Sequence, residues 1–339
     1  ECPIQVVQFI CLNTGNEIIC LPPSTSLFYQ QSQEARTRSA PTTSTTFDIN
    51  TLNDPMIVLK WNMNDSVIRC RQLRQQKQWF NFYISQSADS DYDKITSCVS
   101  IDYRLLFMGK KSGLIEVFKV KRSKTSSSPC GIELIRRCLP FIAHRSPITC
   151  LHANKQFSLL LSTSADGILI LWDINRLSYV RQFKHDDNPI YYICTSETTC
   201  DICYLCSNGS SQWYLFYLTC NCDLIGSLTF NEQINCVCFT NAQEGQAVNM
   251  IIGGFETGKI QMWSTWDLTL LRQLDFHQLK ACPIVAIIVS KIDRRRLYIS
   301  DRDKQLHVIE TNGQINSQIN SNRSAVLKTS QPPQILFLT

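Results

Sequence analysis

Residues 143–185 read AHRSPITCLHANKQFSLLLSTSADGILILWDINRLSYVRQFKH, and this stretch decides the fold. An alternating apolar run is followed by a second ending at Asp166-Gly167, a third ending in Trp172-Asp173 and a fourth over 179–183. Alternation sends successive side chains to opposite faces of a strand. Asp-Gly between two such runs marks a tight hairpin turn. Four short strands within about forty residues, with Trp-Asp closing the third, make one blade of a β-propeller. If the unit recurs, the fold is settled.

It recurs. First strands begin near Ile95, Pro147, Pro189, Ile234 and Pro283, at intervals of 42–52 residues, against about 40–45 for such a repeat. Within units the same order returns, as in ITSCVSI, LLFMGKKSG, LIEVFKV and LIRRCL, or INCVCFT, NMIIGGFETG, KIQMWS and LTLLRQLDF. Nearer the N-terminus, 56–61, 67–73 and 79–85 read as strands with 43–49 as their first, and 4–12 with 17–21 as a further partial unit. The expectation is one all-β domain over 1–339, a WD-repeat propeller of four-stranded antiparallel blades, seven if the partial unit counts, with six or eight as the alternatives. A closing strand at 334–339 would remove the exposed edge of an end blade. Polar insertions at about 30–46 and 121–132 and a polar tail segment at about 311–332 interrupt it.

Composition narrows the function. A hydrophobic share of 44% against 18% charged residues suits a large core. A net charge of +5, spread along the chain, does not argue for nucleic acid. No apolar run approaches the roughly 18–20 residues that cross a bilayer. The chain starts at Glu1 without a basic segment leading into an apolar one, so it reads as a piece of something longer. Its 17 cysteines are odd in number, and many, such as Cys98, Cys150, Cys194, Cys203 and Cys236, fall inside apolar strands. Buried free thiols in a reducing, cytoplasmic compartment are the expectation.

The quoted unit also holds a polar set: His144 in the turn before the first strand, Ser162 in the second, Asp166 in the tight turn and Trp172 in the third. It resembles the structural tetrad of WD-repeat proteins, in which Asp bonds His, His bonds Ser and Ser bonds the indole. Such bonds contribute about 1 kcal/mol each and cost more when left unmade. A Ser-His-Asp hydrolase is disfavoured, because no G-x-S-x-G elbow is present. Other units degrade the set: Trp263 lies beside Thr257-Gly258, Phe118 beside Ser112-Gly113, and Arg302-Asp303 has no Trp. Trp172→Ala is therefore expected to lower the melting temperature, and Lys110→Ala to leave it unchanged. Cys200, Cys203, Cys206, Cys220 and Cys222 have short spacings of a zinc-site kind. Residues three apart on a strand diverge, however, which favours buried thiols. The five histidines are scattered singly, and no phosphate-binding Gly-rich loop occurs. The sequence thus offers no enzyme, metal or cofactor.

SADGILILWDINRLSYVRQF, followed by PIYYICTSETTCDICYLCS and LIGSL, resembles the C-terminal WD repeats of BEACH-domain proteins, nearest to the beige/lysosomal trafficking regulator group. The resemblance covers about 148–263. It implies a non-catalytic scaffold in vesicle and lysosome-related organelle traffic, cytoplasmic or peripheral to endosomal or lysosomal membranes. BEACH and PH-like domains would lie upstream, other proteins would be the partners, and membrane association would be indirect. In such propellers the second-to-third-strand turns and the inter-blade links share one rim. Here that rim is expected to show Lys110, Lys111, Arg145, Lys280 and Arg302 around Phe255 as an exposed anchor, a surface for acidic peptide segments. The alternative is direct binding of phosphoinositide membranes through basic loops. The Arg294-Arg295-Arg296 run lacks the Phe and Gly flanks of one such lipid motif.

Overall fold

Six antiparallel sheets follow one another along the chain. A computed structural model describes residues 9–11, 16–21, 57–62, 67–72, 80–83, 94–101, 105–122, 132–136, 140–184, 186–209, 211–240, 249–275, 282–289, 296–303, 305–310 and 325–328. The first sheet contains β1 (Phe9–Cys11), β2 (Asn16–Leu21), β3 (Ile57–Asn62), β4 (Val67–Gln72) and β5 (Phe80–Tyr83) in that order. In the second, β6 (Ile95–Ile101), β7 (Leu105–Lys110) and β8 (Leu114–Arg122) are followed by β9 (Ile132–Arg136) and β10 (Phe141–Ile142), which share the outer edge of β8. The third runs β11 (Ile148–Asn154), β12 (Leu159–Ser164), β13 (Ile168–Asp173) and β14 (Ser178–Lys184). The fourth runs β15 (Ile190–Thr195), β16 (Ile202–Ser207), β17 (Trp213–Leu218) and β18 (Leu224–Phe230). The fifth is β19 (Ile234–Phe239), β20 (Met250–Phe255), β21 (Lys259–Ser264) and β22 (Leu270–Asp275). The sixth is β23 (Ile284–Val289), β24 (Arg296–Asp301), β25 (Gln305–Glu310) and β26 (Ala325–Lys328).

The first strands of the second to sixth sheets lie side by side in chain order, and β23 in turn lies beside β1. This is the all-β WD-repeat propeller. The described residues form six sheets, because the N-terminal partial unit does not stand alone: β1 and β2 join β3, β4 and β5 in one sheet. The strands expected at 43–49 and 334–339, the insertion at 30–46 and residues 123–131 lie outside the described residues. Within the polar tail segment, Ala325–Lys328 supplies the fourth strand of the sixth sheet.

A repeated isoleucine organises the wheel. Ile95, Ile148, Ile190, Ile234 and Ile284 each open a first strand, each is buried, and a register shift follows each one. That bulge re-aims the strand as it enters the sheet. Alternation then divides each sheet between two cores. On β16, Ile202, Tyr204 and Cys206 pack with Leu161, Leu169 and Leu171 of the third sheet. Cys203 and Leu205 pack with Val237, Ile251 and Trp263 of the fifth. Equivalent cores join sheets two and three through Phe107, Val117 and Leu160, and sheets five and six through Ile252, Met262 and Ile299. Each such side chain contributes about 1.5–3 kcal/mol when fully buried, so face-to-face packing is what holds the sheets together. Three-residue turns join the second and third strands in most units, and in the third sheet Gly167 (φ 74°) takes the left-handed backbone this turn requires.

Candidate functional site

The third sheet gathers most of its polar set. His144 Nε2 lies 2.8 Å from Ser162 Oγ, and Trp172 Nε1–H donates to the same oxygen at 3.0 Å. A hydroxyl has one proton and two lone pairs, so Ser162 serves both partners at once. Asp166 is placed differently from the expected tetrad. Its carboxylate accepts the Ser164 hydroxyl and is also hydrogen-bonded by Ser146, while it acts on His144 through charge alone. His144 Nδ1 makes no hydrogen bond. Burial would raise the Asp166 carboxyl, but the two serine bonds outweigh it and hold the group below its usual value. Burial dominates at His144 and pulls its imidazole down to about 4, with Asp166 and Ser162 opposing only in part. His144 is therefore neutral at pH 7. The Phe141 ring stacks on Trp172 at 4.8 Å, and Ser162 is fully buried, so the set is sealed from substrate.

The rim differs from expectation at two positions, for one reason. The second strands β7, β12, β16, β20 and β24 are all six residues long, and they end at Lys110, Ser164, Ser207, Phe255 and Asp301. In each of these sheets the last residue is buried, and the next is exposed at Lys111, Asn208 and Arg302 and part-buried at Ala165 and Glu256. Lys110, 3% exposed, is not a rim residue. Its Nζ is 3.1 Å from Glu116 Oε1, to which Arg136 Nη2–H also donates at 2.7 Å. Lys110→Ala would strand part of a buried charge, so the expectation that it is silent is withdrawn. Phe255 is fully buried and is not an exposed anchor. Its ring meets Phe230 at 5.3 Å and Trp263 at 6.2 Å, and the Lys259 ammonium lies 4.6 Å from its centre. In the sixth sheet the same position holds Asp301, 2.9 Å from His307 Nε2, with both side chains buried. These side-chain contacts join the last residue of the second strand to the third residue of the next. That spacing of six was visible in the sequence but had no assigned meaning without the register.

Lys111, Arg145 and Arg302 are exposed. Lys280 lies outside the described residues. Turns and links do share one rim: a Cβ on Gly113 would meet the His144 carbonyl, one on Gly167 that of Asp186, and one on Gly258 that of Cys282. Lys111 and Arg145 are neighbours there, since His144 N–H donates to Gly113 O at 3.0 Å. Elsewhere the rim is mixed. Arg302 bridges to Glu256 at 2.7 Å, Lys259 pairs with Glu232, and Asp186 and Asp187 follow the third sheet.

Cys203 and Cys206 diverge as the strand period requires, with Cys203 in one inter-sheet core and Cys206 in the other. Burial pushes the thiols of Cys200 and Cys222 up to about 11 and that of Cys206 to about 12. Among the described residues, no three His, Cys, Asp or Glu side chains converge as metal ligands. No helix of these residues is long and apolar enough to cross a membrane.

No protein-family model matches the chain. It is 34% identical over 247 residues, 73% of its length, to the lysosomal-trafficking regulator of Homo sapiens. It is 23% identical over 221 residues, 51% of its length, to the lysosomal-trafficking regulator of Drosophila melanogaster. To BEACH domain-containing protein A2 of Arabidopsis thaliana it is 21% identical over 211 residues, 60% of its length. The chain spans only 6% of the length of each of these relatives.

Proposed function

The chain belongs to the BEACH-domain protein family and is similar to its lysosomal-trafficking regulators, and from that premise we propose that it is a non-catalytic docking propeller in membrane traffic. The observation that carries this reading is the match to a lysosomal-trafficking regulator over 73% of the chain. The burial of His144 and Ser162 supports a structural role for the residues that most resemble a catalytic set. The protein acts in the cytoplasm, peripheral to endosomal or lysosomal membranes, and reaches them through other proteins.

The docking surface of this reading is the rim around Lys111 and Arg145, and its ligand is an acidic segment of a partner protein. Opposite charge at an exposed rim sets on-rate and selectivity more than affinity. Direct phosphoinositide binding is the weaker reading, because Asp186, Asp187, Glu232 and Glu256 share the rim and repel anionic headgroups. Binding of a synthetic Glu-rich peptide, measured by fluorescence anisotropy, should weaken about tenfold in Lys111→Glu/Arg145→Glu, and vesicles with phosphoinositide should leave the protein in solution. Equal peptide binding by the two proteins would remove the rim assignment. Flotation with phosphoinositide vesicles would favour the lipid reading.

A further inference from the structure

The outer strands of the second to sixth sheets each end at the rim, opposite the first residue of the third strand. The five end residues are Ile142, Lys184, Phe230, Asp275 and Lys328. Three of them are charged, and Phe230 packs into the core between the fourth and fifth sheets. Ile142 alone among them is both apolar and exposed, at 87%. Alternation explains where it points: Phe141 turns inward and stacks on Trp172 at 4.8 Å, so the next residue turns outward. The fold makes no demand for an aliphatic side chain there, since Lys184 fills the same position in the third sheet.

Positive charge surrounds it. Ile142 is paired with Leu114, and His144 N–H donates to Gly113 O at 3.0 Å, so the chain runs on beside the turn that leads into β8. Lys111 stands three residues before Leu114 and Arg145 three residues after Ile142, both exposed. Lys111 N–H donates to Lys94 O at 2.9 Å, which brings a third basic residue to this end of the sheet. Among the described residues here, 94–96, 110–114 and 140–146, there is no carboxylate. The next stretch of rim reverses the sign, with Asp166, Asp186 and Asp187 at the third sheet. An apolar centre ringed by like charges has the anatomy of a small interface, in which contact supplies affinity and charge supplies selectivity.

We propose that Ile142 is the apolar anchor of the docking rim, and that the partner segment bound there carries an aliphatic side chain among its carboxylates. This rests on the rim around Lys111 and Arg145 proposed above and adds the sequence preference of that site. The aliphatic side chain covers Ile142, and the flanking Asp or Glu residues meet Lys111 and Arg145. A narrow peptide touches the second sheet alone, whereas a flat anionic membrane would also meet Asp186 and Asp187 on the same rim. A second copy would set the basic groups against their own kind.

The test compares two short dye-labelled peptides, one of mixed Glu and Leu and one with Ser in place of each Leu, by fluorescence anisotropy against the whole chain. The Glu/Leu peptide should bind about tenfold more tightly. Ile142→Ser should bring it down to the affinity of the Glu/Ser peptide with an unchanged melting temperature, because the side chain is exposed. Val180→Ser, at a half-exposed aliphatic residue on the outer strand of the third sheet, should change neither affinity. Lys111→Glu/Arg145→Glu should weaken both peptides. Equal binding of the two peptides, or a leucine preference that survives Ile142→Ser, overturns the anchor and leaves the charged rim standing. Binding of neither peptide overturns the rim and the anchor together. Flotation on phosphoinositide vesicles that is lost in Ile142→Ser would assign the residue to lipid and overturn the proposal as well.

Discussion

The third and fifth sheets solve one packing problem with opposite chemistry. Below the third-sheet turn, His144, Ser162 and Trp172 form a polar chain. In the fifth sheet, the residue four before the opening isoleucine is Phe230 instead of His144, and the fourth residue of the second strand is Gly253 instead of Ser162. Phe230 and Trp263 then meet directly at 5.5 Å, with Phe255 against both. Gly253 makes this possible, since a Cβ there would approach the Trp263 ring to 2.8 Å. The lesson is that one register position accepts a hydrogen-bonded network or an aromatic cluster, provided that the whole site changes together. A serine alone in the fifth sheet, or a phenylalanine alone in the third, would leave a clash or an unmade bond.

The comparison can be broken or sharpened in several ways. Trp172→Ala and Trp263→Ala should each destabilise by about 3–5 kcal/mol in chemical denaturation, because each empties a large core site. A much smaller loss for either would mean that its sheet does not depend on the cluster described. Lys110→Ala should cost about 3 kcal/mol by leaving Glu116 with Arg136 alone in a buried setting. An unchanged melting temperature would return Lys110 to the surface.

The two sheets should also differ in acid. Burial holds the His144 imidazole down at about 4 in the fold, against about 6.5 for an ordinary imidazole, so the unfolded chain takes up its proton first. Its contribution is complete above pH 6.5, declines as the pH falls towards 4, and amounts to about 3 kcal/mol at most. His144→Gln should remove that component from the pH dependence of stability, whereas Phe230→Leu should leave it in place. Exchanging the second-strand residues, Ser162→Gly and Gly253→Ser, should cost about 2 kcal/mol each, the first by orphaning two partners and the second by a clash. The smallest effect belongs to Lys111→Glu/Arg145→Glu, within about 0.5 kcal/mol of wild type, since both side chains lie on the exposed rim.

The architecture was legible because the period of two, the Asp-Gly turn and the 42–52-residue recurrence are properties of the chain itself. Trp172, Ser162 and His144 could be read from one well-formed unit. The rim was less legible. Lys110 and Phe255 stand next to turns, and their depth depends on which residue closes the second strand, a matter of register that a one-residue error inverts. Asp166 was assigned to His144 by position, yet Ser164 and Ser146 lie closer in chemistry and take its oxygens. Ile142 was passed over because it stands beside Phe141 in an apolar run, and only its register opposite Leu114 separates it from the core.

Neighbouring lysines 110 and 111 allow the boundary between sheet and rim to be tested at single-residue resolution. Native-state amine acetylation followed by mass spectrometry should modify Lys111 readily and leave Lys110 protected until the protein unfolds, because only Lys110 is closed into the second sheet with Glu116. Equal labelling of the two in the folded protein would contradict the register on which both the buried clusters and the docking rim depend.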